Sequence, residues 1–334
     1  MPPRPHTIGG ERTVRHEGSS LRMRAHVIRF GLSLVVIWVS ILAGLGCDNS
    51  PVASEASDWK RENPGSDANL YAVWGTAADN VFAVGGGGLI VHYDGSRWSS
   101  MVSGITSDLY AVYGRSSDDV YAAGANGQVL HYDGTAWYSL SNISLGVVHD
   151  VWTAPGQSLY VCGSAGEWCH DGNLWRRIAG GVVGQAMQGF VGRVHPALSE
   201  ELLQLIVVSG NAVSYWTRGT WDYAHWPLNR AVRGLWGLSS GNLFAVCRDG
   251  YVFSTEDGIF KSGRPTQVHL NAVHGRSSKC VYAVGSNGKI IHYDGDKWTE
   301  LPTSAPESLA GVWVGPGGEV FAVGYQGVVL HYSP

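Results

Sequence analysis

Apolar and polar residues alternate along most of this chain in short runs that end at glycine, serine, aspartate or asparagine. Four such runs follow one another at Leu70–Trp74, Asn80–Val84, Leu89–Tyr93 and Arg97–Val102. They are rich in β-branched and aromatic residues, and none of them has the period of about 3.6 residues that marks an amphipathic helix. The pattern therefore predicts four consecutive β-strands joined by tight turns.

This four-strand unit recurs about every 39 residues along the chain. The units open at Leu70, Leu109, Val148, Met187, Val232, Leu270 and Leu309. Four strands in a unit of about 40 residues, repeated several times, are typical of a β-propeller, in which each unit forms one blade. The sequence thus predicts an all-β fold over residues 58–334: a seven-bladed β-propeller of four-stranded antiparallel blades.

The two ends of the predicted ring complement each other. The last unit stops at Leu330–Pro334, before its fourth strand, whereas Asp58–Arg61 carries a fourth-strand tryptophan ahead of the first full unit. We expect this N-terminal segment to pair as the fourth strand of the last blade. Such pairing removes an open sheet edge and closes the ring.

Three residue types recur at one position in most units, which points to a role in the fold. The fourth-strand tryptophans, expected to pack between blades, are Trp59, Trp98, Trp137, Trp175, Trp221 and Trp298. The third-strand histidines are His92, His131, His170, His292 and His331. Equivalent residues of neighbouring blades diverge outward and cannot share a metal ion, so we expect hydrogen bonds within each blade. The Asp-Gly pairs that follow, as at Asp94, predict type I′ hairpin turns. No metal or cofactor is predicted.

Positions that differ between blades are the candidates for function. The second residue of the innermost strand is Tyr71, Tyr110, His149, Gln188, Arg233, Asn271 or Ala310. Because the inner strands converge on a central channel, we expect these side chains to line its mouth. Two interpretations stay open: a water-filled channel that tolerates polar residues, and a funnel for a ligand. The third residue is small except for Asp150, a candidate for a buried acid with a shifted pKa.

The fourth unit is irregular. It carries extra residues in the segment Gly192–Leu203, which includes Glu200 and Glu201, and its exit contains Tyr223 and Trp226. We expect that exit to form a loop leading to blade five. The turns between second and third strands also vary: Ala125-Asn126, Ser164-Ala165, Arg248-Asp249, Ser286-Asn287 and Tyr325-Gln326. Exposed aromatic residues suit protein or glycan recognition, and ordinary blade packing is the alternative.

The N-terminus has the features of a targeting segment. Three arginines precede the apolar run Phe30–Leu45, which is shorter than the about 20 residues of a membrane span. The run ends at Gly46-Cys47 and resembles a bacterial lipoprotein signal, in which the cysteine is lipidated. This resemblance implies a signal segment at 1–46, with Met23 as the expected true start, and a lipidated Cys47 and tether at 47–57. An uncleaved membrane anchor and ordinary secretion are the alternatives.

Charge and cysteine content refine this picture. The first 46 residues carry a net charge of +4, which leaves −8 for the rest of a chain whose net charge is −4. An acidic domain argues against nucleic acid or an anionic membrane surface as its partner. Cys162 and Cys169 fall on adjacent predicted strands, two residues out of opposition, and a disulfide between them stays open.

The repeats resemble bacterial propellers of the BNR (Asp-box) proteins and of the photosystem II assembly factors. The segment Ser254–Phe260 is similar to an Asp-box, and the wider resemblance covers residues 58–334. It implies the propeller fold, and it implies that the Asp-box-like segment is a turn rather than an active site.

Two functions remain in view, because no catalytic triad, phosphate loop or metal-ligand spacing is present in the sequence. The first is a non-catalytic, monomeric binding or assembly module for a protein or glycan, held at the cell envelope by a lipid. The alternative is a propeller enzyme of the glycoside hydrolase or lyase type. Its candidate residues are His149, Asp150 and either Glu200 or Glu201.

Overall fold

The computed structural model describes residues 58–140, 144–178, 184–192, 202–209, 212–217, 220–224, 230–239, 241–256 and 259–334. This part of the chain forms seven four-stranded antiparallel sheets. The first strand of each sheet contacts the first strand of the next, and the seventh contacts the first. The predicted all-β, seven-bladed propeller is therefore confirmed.

Six blades are continuous in sequence, and the seventh combines both ends of the described chain. Blade one consists of β2 (Leu70–Ala77), β3 (Asn80–Gly85), β4 (Ile90–Tyr93) and β5 (Trp98–Met101). Blade two consists of β6 (Leu109–Ser116), β7 (Asp119–Gly124), β8 (Val129–Tyr132) and β9 (Trp137–Ser139). Blade three consists of β10 (Val148–Trp152), β11 (Leu159–Gly163), β12 (Gly166–His170) and β13 (Trp175–Arg177). Blade four consists of β14 (Ala186–Gly192), β15 (Leu202–Ser209), β16 (Ala212–Thr217) and β17 (Thr220–Ala224). Blade five consists of β18 (Val232–Ser239), β19 (Asn242–Cys247), β20 (Val252–Glu256) and β21 (Ile259–Gly263). Blade six consists of β22 (Leu270–Ser277), β23 (Cys280–Gly285), β24 (Ile290–Tyr293) and β25 (Trp298–Leu301). Blade seven consists of β26 (Leu309–Val314), β27 (Val320–Gly324), β28 (Val329–Tyr332) and β1 (Lys60–Glu62).

Strand β1 closes the ring. It pairs antiparallel with β28, with Lys60 opposite His331 and Glu62 opposite Val329. Trp59, which directly precedes it, is buried, and its ring lies 5.7 Å from that of Tyr332. The fourth strand of the last blade therefore comes from the N-terminal side of the propeller, as the sequence predicts.

Tryptophans of the fourth strands pack between blades. Trp98 of blade one contacts Phe321 of blade seven with ring centroids 5.9 Å apart, and Trp137 of blade two contacts Phe82 of blade one at 6.2 Å. Both tryptophans are buried. These edge-to-face contacts bury large apolar surfaces at each blade interface and confirm the structural role predicted for this position.

The recurrent histidines serve their own blades. His92 Nε2 lies 2.6 Å from Asn80 Oδ1, and His131 Nε2 lies 2.8 Å from Asp119 Oδ1. Each ring also packs on the aromatic residue opposite it, as His131 does on Tyr121 with centroids 4.4 Å apart. Among the described residues, no cluster of three His, Cys, Asp or Glu side chains has the arrangement of a metal site.

The Asp-Gly hairpins differ from the predicted type I′ turn. Only the glycine has a positive φ, 89° at Gly95, and the loop between Tyr93 and Trp98 has four residues. Asp94 Oδ1 accepts hydrogen bonds from the backbone N–H groups of Ser96 and Arg97, both at 2.9 Å. The aspartate thus stabilises the turn through its side chain, and its backbone does not enter the left-handed region.

Several predictions fall on residues outside the described ranges. These are the signal segment and tether at 1–57 with Cys47, the two glutamates Glu200 and Glu201, Trp226, and residues 257–258 of the Asp-box-like segment.

Cys162 and Cys169 are free thiols, so no disulfide joins these two strands of blade three. Within the described residues, no helix has the length and apolar character needed to cross a bilayer.

Candidate functional site

A β-bulge sets the variable position of the inner strand apart from its neighbours. In blade one, Leu70 pairs with Gly85 and Ala72 with Val84, which leaves Tyr71 as the extra residue. The same irregularity occurs at Tyr110, His149, Arg233, Asn271 and Ala310. Bulges re-aim side chains that regular pairing would direct to alternate faces of the sheet. All six residues line one cavity of about 520 Å³ at the centre of the ring.

Glycine and other small residues permit this arrangement. A Cβ atom on Gly85 would lie 1.9 Å from the carbonyl oxygen of Asn69, so only glycine allows the second strand to approach the start of the first so closely. At the third inner-strand position, a Cβ on Gly311 would lie 3.1 Å from Ala72 Cα of the next blade. The close approach of neighbouring inner strands therefore explains why this position is small in most blades.

Blade four follows a different register from the one that the sequence predicts. Its inner strand begins at Ala186, and Ala186, Met187 and Gln188 pair regularly with β15. Gln185 and Ala186 line the central cavity where Gln188 and Gly189 were expected. The first position is then Gly184, whose Cβ would lie 3.0 Å from Cys162 Sγ. Val207 of the same blade and Cys162 of blade three fill the space of the usual apolar residue. For that reason the repeat pattern led to a register three residues too late.

Asp150 is a half-buried acid that links two blades. Its Oδ2 accepts a hydrogen bond from Met187 N–H of blade four at 2.8 Å, and its Oδ1 accepts one from Val151 N–H at 2.9 Å. Burial raises the pKa of Asp150 to about 6, and the two backbone donors oppose that rise. The predicted acid is therefore present, with both of its oxygens engaged by backbone groups.

Three tyrosines form one wall of the channel mouth. The rings of Tyr71 and Tyr110 lie 5.5 Å apart, and Tyr325 meets Tyr71 edge to face at 6.3 Å. Tyr325 comes from the turn between β27 and β28 and is 44% exposed. We refer to these three residues as the tyrosine wall.

Arg233 lines the central cavity, and Arg233 and Arg248 both border an adjoining pocket of about 430 Å³. Burial and repulsion by Arg248 lower the pKa of Arg233, and Tyr325 opposes that effect. Burial and then the charge of Arg233 lower the pKa of His149. Among the described residues, neither arginine forms an ion pair with a carboxylate. We refer to Arg233 and Arg248 as the arginine pair.

The turns that carry these residues are fixed by side chains from the following blade. Asn69 Oδ1 accepts the N–H of Gln326 at 3.0 Å, and His269 Nδ1 accepts the N–H of Asp249 at 2.8 Å. Both turn residues have positive φ, 57° and 74°. These bonds hold Tyr325 and Arg248 in place at the mouth, so the site is preorganised for a ligand.

The structure separates the predicted site residues into two groups. Tyr71, Tyr110, His149, Asp150, Arg233 and Asn271 line the central cavity. Tyr223 lies in β17, the fourth strand of blade four, opposite Ser214, and the prediction that it belongs to a loop is wrong. Arg248, Tyr325 and Gln185 also belong to the mouth. Tyr325 and Gln185 line the central cavity, and Arg248 borders the adjoining pocket. The variability of the turns was a signal for Arg248 and Tyr325, but only tertiary packing shows which cavity each residue lines.

Comparisons with known proteins support the fold. No protein-family model matches the sequence, and no curated protein matches it. The structure of YCF48 bound to a D1 peptide is similar with a TM-score of 0.65 and 16% identity, over 86% of this chain and 99% of that one. YCF48 from Cyanidioschyzon merolae gives 0.64 and 17%, over 83% and 99%. A streptogramin B lyase gives 0.68 and 14%, over 83% and 99%. At these identities the similarity establishes a shared propeller fold.

Proposed function

We propose that the channel mouth binds an extended segment of another protein, and that this chain is a non-catalytic binding or assembly module. The observation that carries this proposal is the tyrosine wall, which lines one cavity together with Arg233, beside a pocket that Arg233 and Arg248 share. Tyrosine and arginine are the residues most enriched where binding energy concentrates in protein interfaces. The similar YCF48 propeller has a D1 peptide bound, which supports a peptide as the class of ligand.

The surroundings of the carboxylates favour binding over catalysis. Hydrolysis of glycosidic bonds generally uses two carboxyl groups that face the scissile bond. Both oxygens of Asp150 accept backbone hydrogen bonds. Glu307, which borders the adjoining pocket, accepts two hydrogen bonds from Arg61 at 2.7 and 3.2 Å. The carboxylates that the structure describes at this mouth are thus engaged in holding the fold.

We expect the purified protein to enrich specific sequences from a library of random peptides displayed on phage. Tyr71→Ala and Tyr110→Ala should each weaken binding of an enriched peptide by about tenfold or more, because each removes a rigid aromatic contact. Tyr138→Ala is the matched control, since Tyr138 is 43% exposed on the outer strand β9 and should leave the affinity unchanged. Isothermal titration calorimetry measures each affinity.

A glycan array run in parallel distinguishes the second class of ligand. Retention of an oligosaccharide by the wild type, lost in Tyr71→Ala and without peptide enrichment, would replace the peptide proposal with a glycan one. Hydrolysis or elimination of that oligosaccharide would favour the enzyme alternative, with His149 and Asp150 as its first candidates.

We infer in addition that Cys47 is lipidated and holds the propeller, as a monomer, at the cell envelope. The arginine-flanked apolar run that ends at Gly46-Cys47 supports this inference. We expect the full-length chain, expressed in a bacterium, to incorporate radiolabelled palmitate, and Cys47→Ala to abolish the label. Cys169→Ala, which removes a free thiol of the propeller, should keep it. Label that persists in Cys47→Ala would rule out lipidation at this residue.

A further inference from the structure

We propose that the arginine pair binds a carboxylate of the peptide, so that the ligand is anchored by an acidic side chain or by its C-terminus. This inference rests on the proposed peptide-binding function and specifies its ligand. Arg233 projects from the bulge of β18, and Arg248 from the turn between β19 and β20. Both border the same pocket, which opens beside the central cavity.

The nearby acidic residues are already paired. Asp249 follows Arg248 directly in sequence, but its carboxylate bonds to Arg230. Glu307 borders the pocket, but it forms a two-bond pair with Arg61. Arg233 and Arg248 thus place two positive charges at one pocket, and like charges in proximity repel each other unless an anion compensates them. A ligand carboxylate supplies that compensation.

The pocket also matches a carboxylate in shape and chemistry. Guanidinium groups present parallel N–H donors that match the two oxygens of a carboxylate. The hydroxyl-bearing residues Ser286 and Ser308 line the same pocket, and a volume of about 430 Å³ accommodates a side chain or chain end rather than a folded domain. Tyr325 borders both cavities, so a residue next to the anchored carboxylate would contact the tyrosine wall.

Three synthetic peptides with one common scaffold test the inference and identify the source of the carboxylate. The first carries glutamates and an amidated C-terminus, the second carries glutamines and a free C-terminal carboxylate, and the third carries glutamines and an amide. Calorimetry with the purified protein should show that at least one of the first two binds about tenfold or more tightly than the third. Which of the two binds distinguishes an acidic side chain from a chain end.

Variants of the arginine pair complete the test. Arg233→Gln and Arg248→Gln should each reduce the preference for the carboxylate about tenfold, and high salt should weaken it in the wild type. Neither arginine belongs to the apolar clusters between the blades, so these variants should keep the wild-type melting curve, which circular dichroism checks. Arg97→Gln is the matched control, because it removes one positive charge from the hairpin between β4 and β5, where its side chain is 79% exposed.

The outcomes separate this inference from the proposed function. Phage-selected peptides that bind the wild type and both arginine variants equally would overturn the carboxylate anchor and leave peptide binding intact. A preference that Arg97→Gln reduces as much as Arg233→Gln would also overturn it, because the effect would then reflect net charge alone. Failure of every peptide to bind, selected or synthetic, would overturn both proposals.

Discussion

Deleting residues 58–63 is expected to lower the unfolding temperature of this propeller by more than about 10 °C, or to prevent folding. The deletion removes β1 and with it the pairing of Lys60, Arg61 and Glu62 with β28. It also exposes an edge of blade seven that the closed ring protects. Thermal unfolding followed by circular dichroism measures the effect.

Trp59 is expected to account for much of this stability. It is 3% exposed and packs in the cluster shared by blades six and seven. Truncating a buried tryptophan to alanine destabilises proteins by about 3–5 kcal/mol. The variant Trp59→Ala should therefore unfold about 6–15 °C below the wild type.

A surface substitution in the same strand provides the control. The Lys60 side chain is 70% exposed and, within the part of the chain that the structure describes, forms an ion pair with Glu62 of its own strand at 2.7 Å. Exposed ion pairs contribute about 0–1 kcal/mol, so Lys60→Ala should change the unfolding temperature by a few degrees at most. An unchanged melting curve after deletion of residues 58–63 would contradict the closure of the ring by β1.

Glu167→Gln is expected to stabilise the protein at pH 8.5 by roughly 2–3 kcal/mol. Glu167 lies in β12 opposite Cys162, which in turn lies opposite Asp150 in β10. The equivalent third-strand residues in other blades are Ile90, Val129, Val252, Ile290 and Val329. Blade three thus places a carboxyl group where the fold otherwise has an apolar side chain.

The environment of Glu167 explains the expected sign. The residue is 1% exposed, and among the described residues its Oε1 has no hydrogen-bond partner. Burial raises its pKa from 4.5 to about 7, which its own backbone N–H and the charge of Arg177 oppose. Because the folded state binds this proton more tightly, the resulting stability is fully present below about pH 4.5 and is lost as the pH rises through about 7.

The comparison with the wild type isolates this group from the others that titrate. Chemical denaturation at several pH values should show the advantage of Glu167→Gln greatest above pH 8 and nearly absent at pH 4.5. Glu300→Gln, which neutralises a glutamate that is 54% exposed and paired with Lys289, should not stabilise the protein at pH 8.5. A constant difference between Glu167→Gln and the wild type across this range would mean that Glu167 stays ionised in the folded protein.

Glu167→Val provides a second variant that does not depend on a buried amide. Valine occupies the equivalent position in blades two, five and seven. It should stabilise the protein at pH 8.5 at least as much as glutamine does, because it removes both the charge and the polar atoms.

The sequence by itself determined the architecture. The alternation of apolar and polar residues and the period of about 39 residues were enough to predict seven blades. The strand with Trp59, which lies ahead of the first full unit, was enough to predict how the ring closes. They were enough because each blade has to bury the same two faces against its neighbours, so the same residue types recur at the same positions. The recurrent tryptophans were assigned correctly for this reason, and so were the hydrogen bonds of His92 and His131 within their blades. Among the described residues, the buried Nε2 of His292 has no hydrogen-bond partner, so that prediction does not hold in every blade.

Only the tertiary structure decided which variable residues act together. The β-bulge that turns Tyr71 and Arg233 into the channel leaves no mark on the alternation of apolar and polar residues. The register of blade four depended on two side chains that fill the space beside Gly184, Val207 of the same blade and Cys162 of blade three. The tyrosine wall and the arginine pair likewise combine strands and turns that are far apart in sequence. Their juxtaposition follows from the closure of the ring, because contacts between distant segments are not encoded in any local pattern.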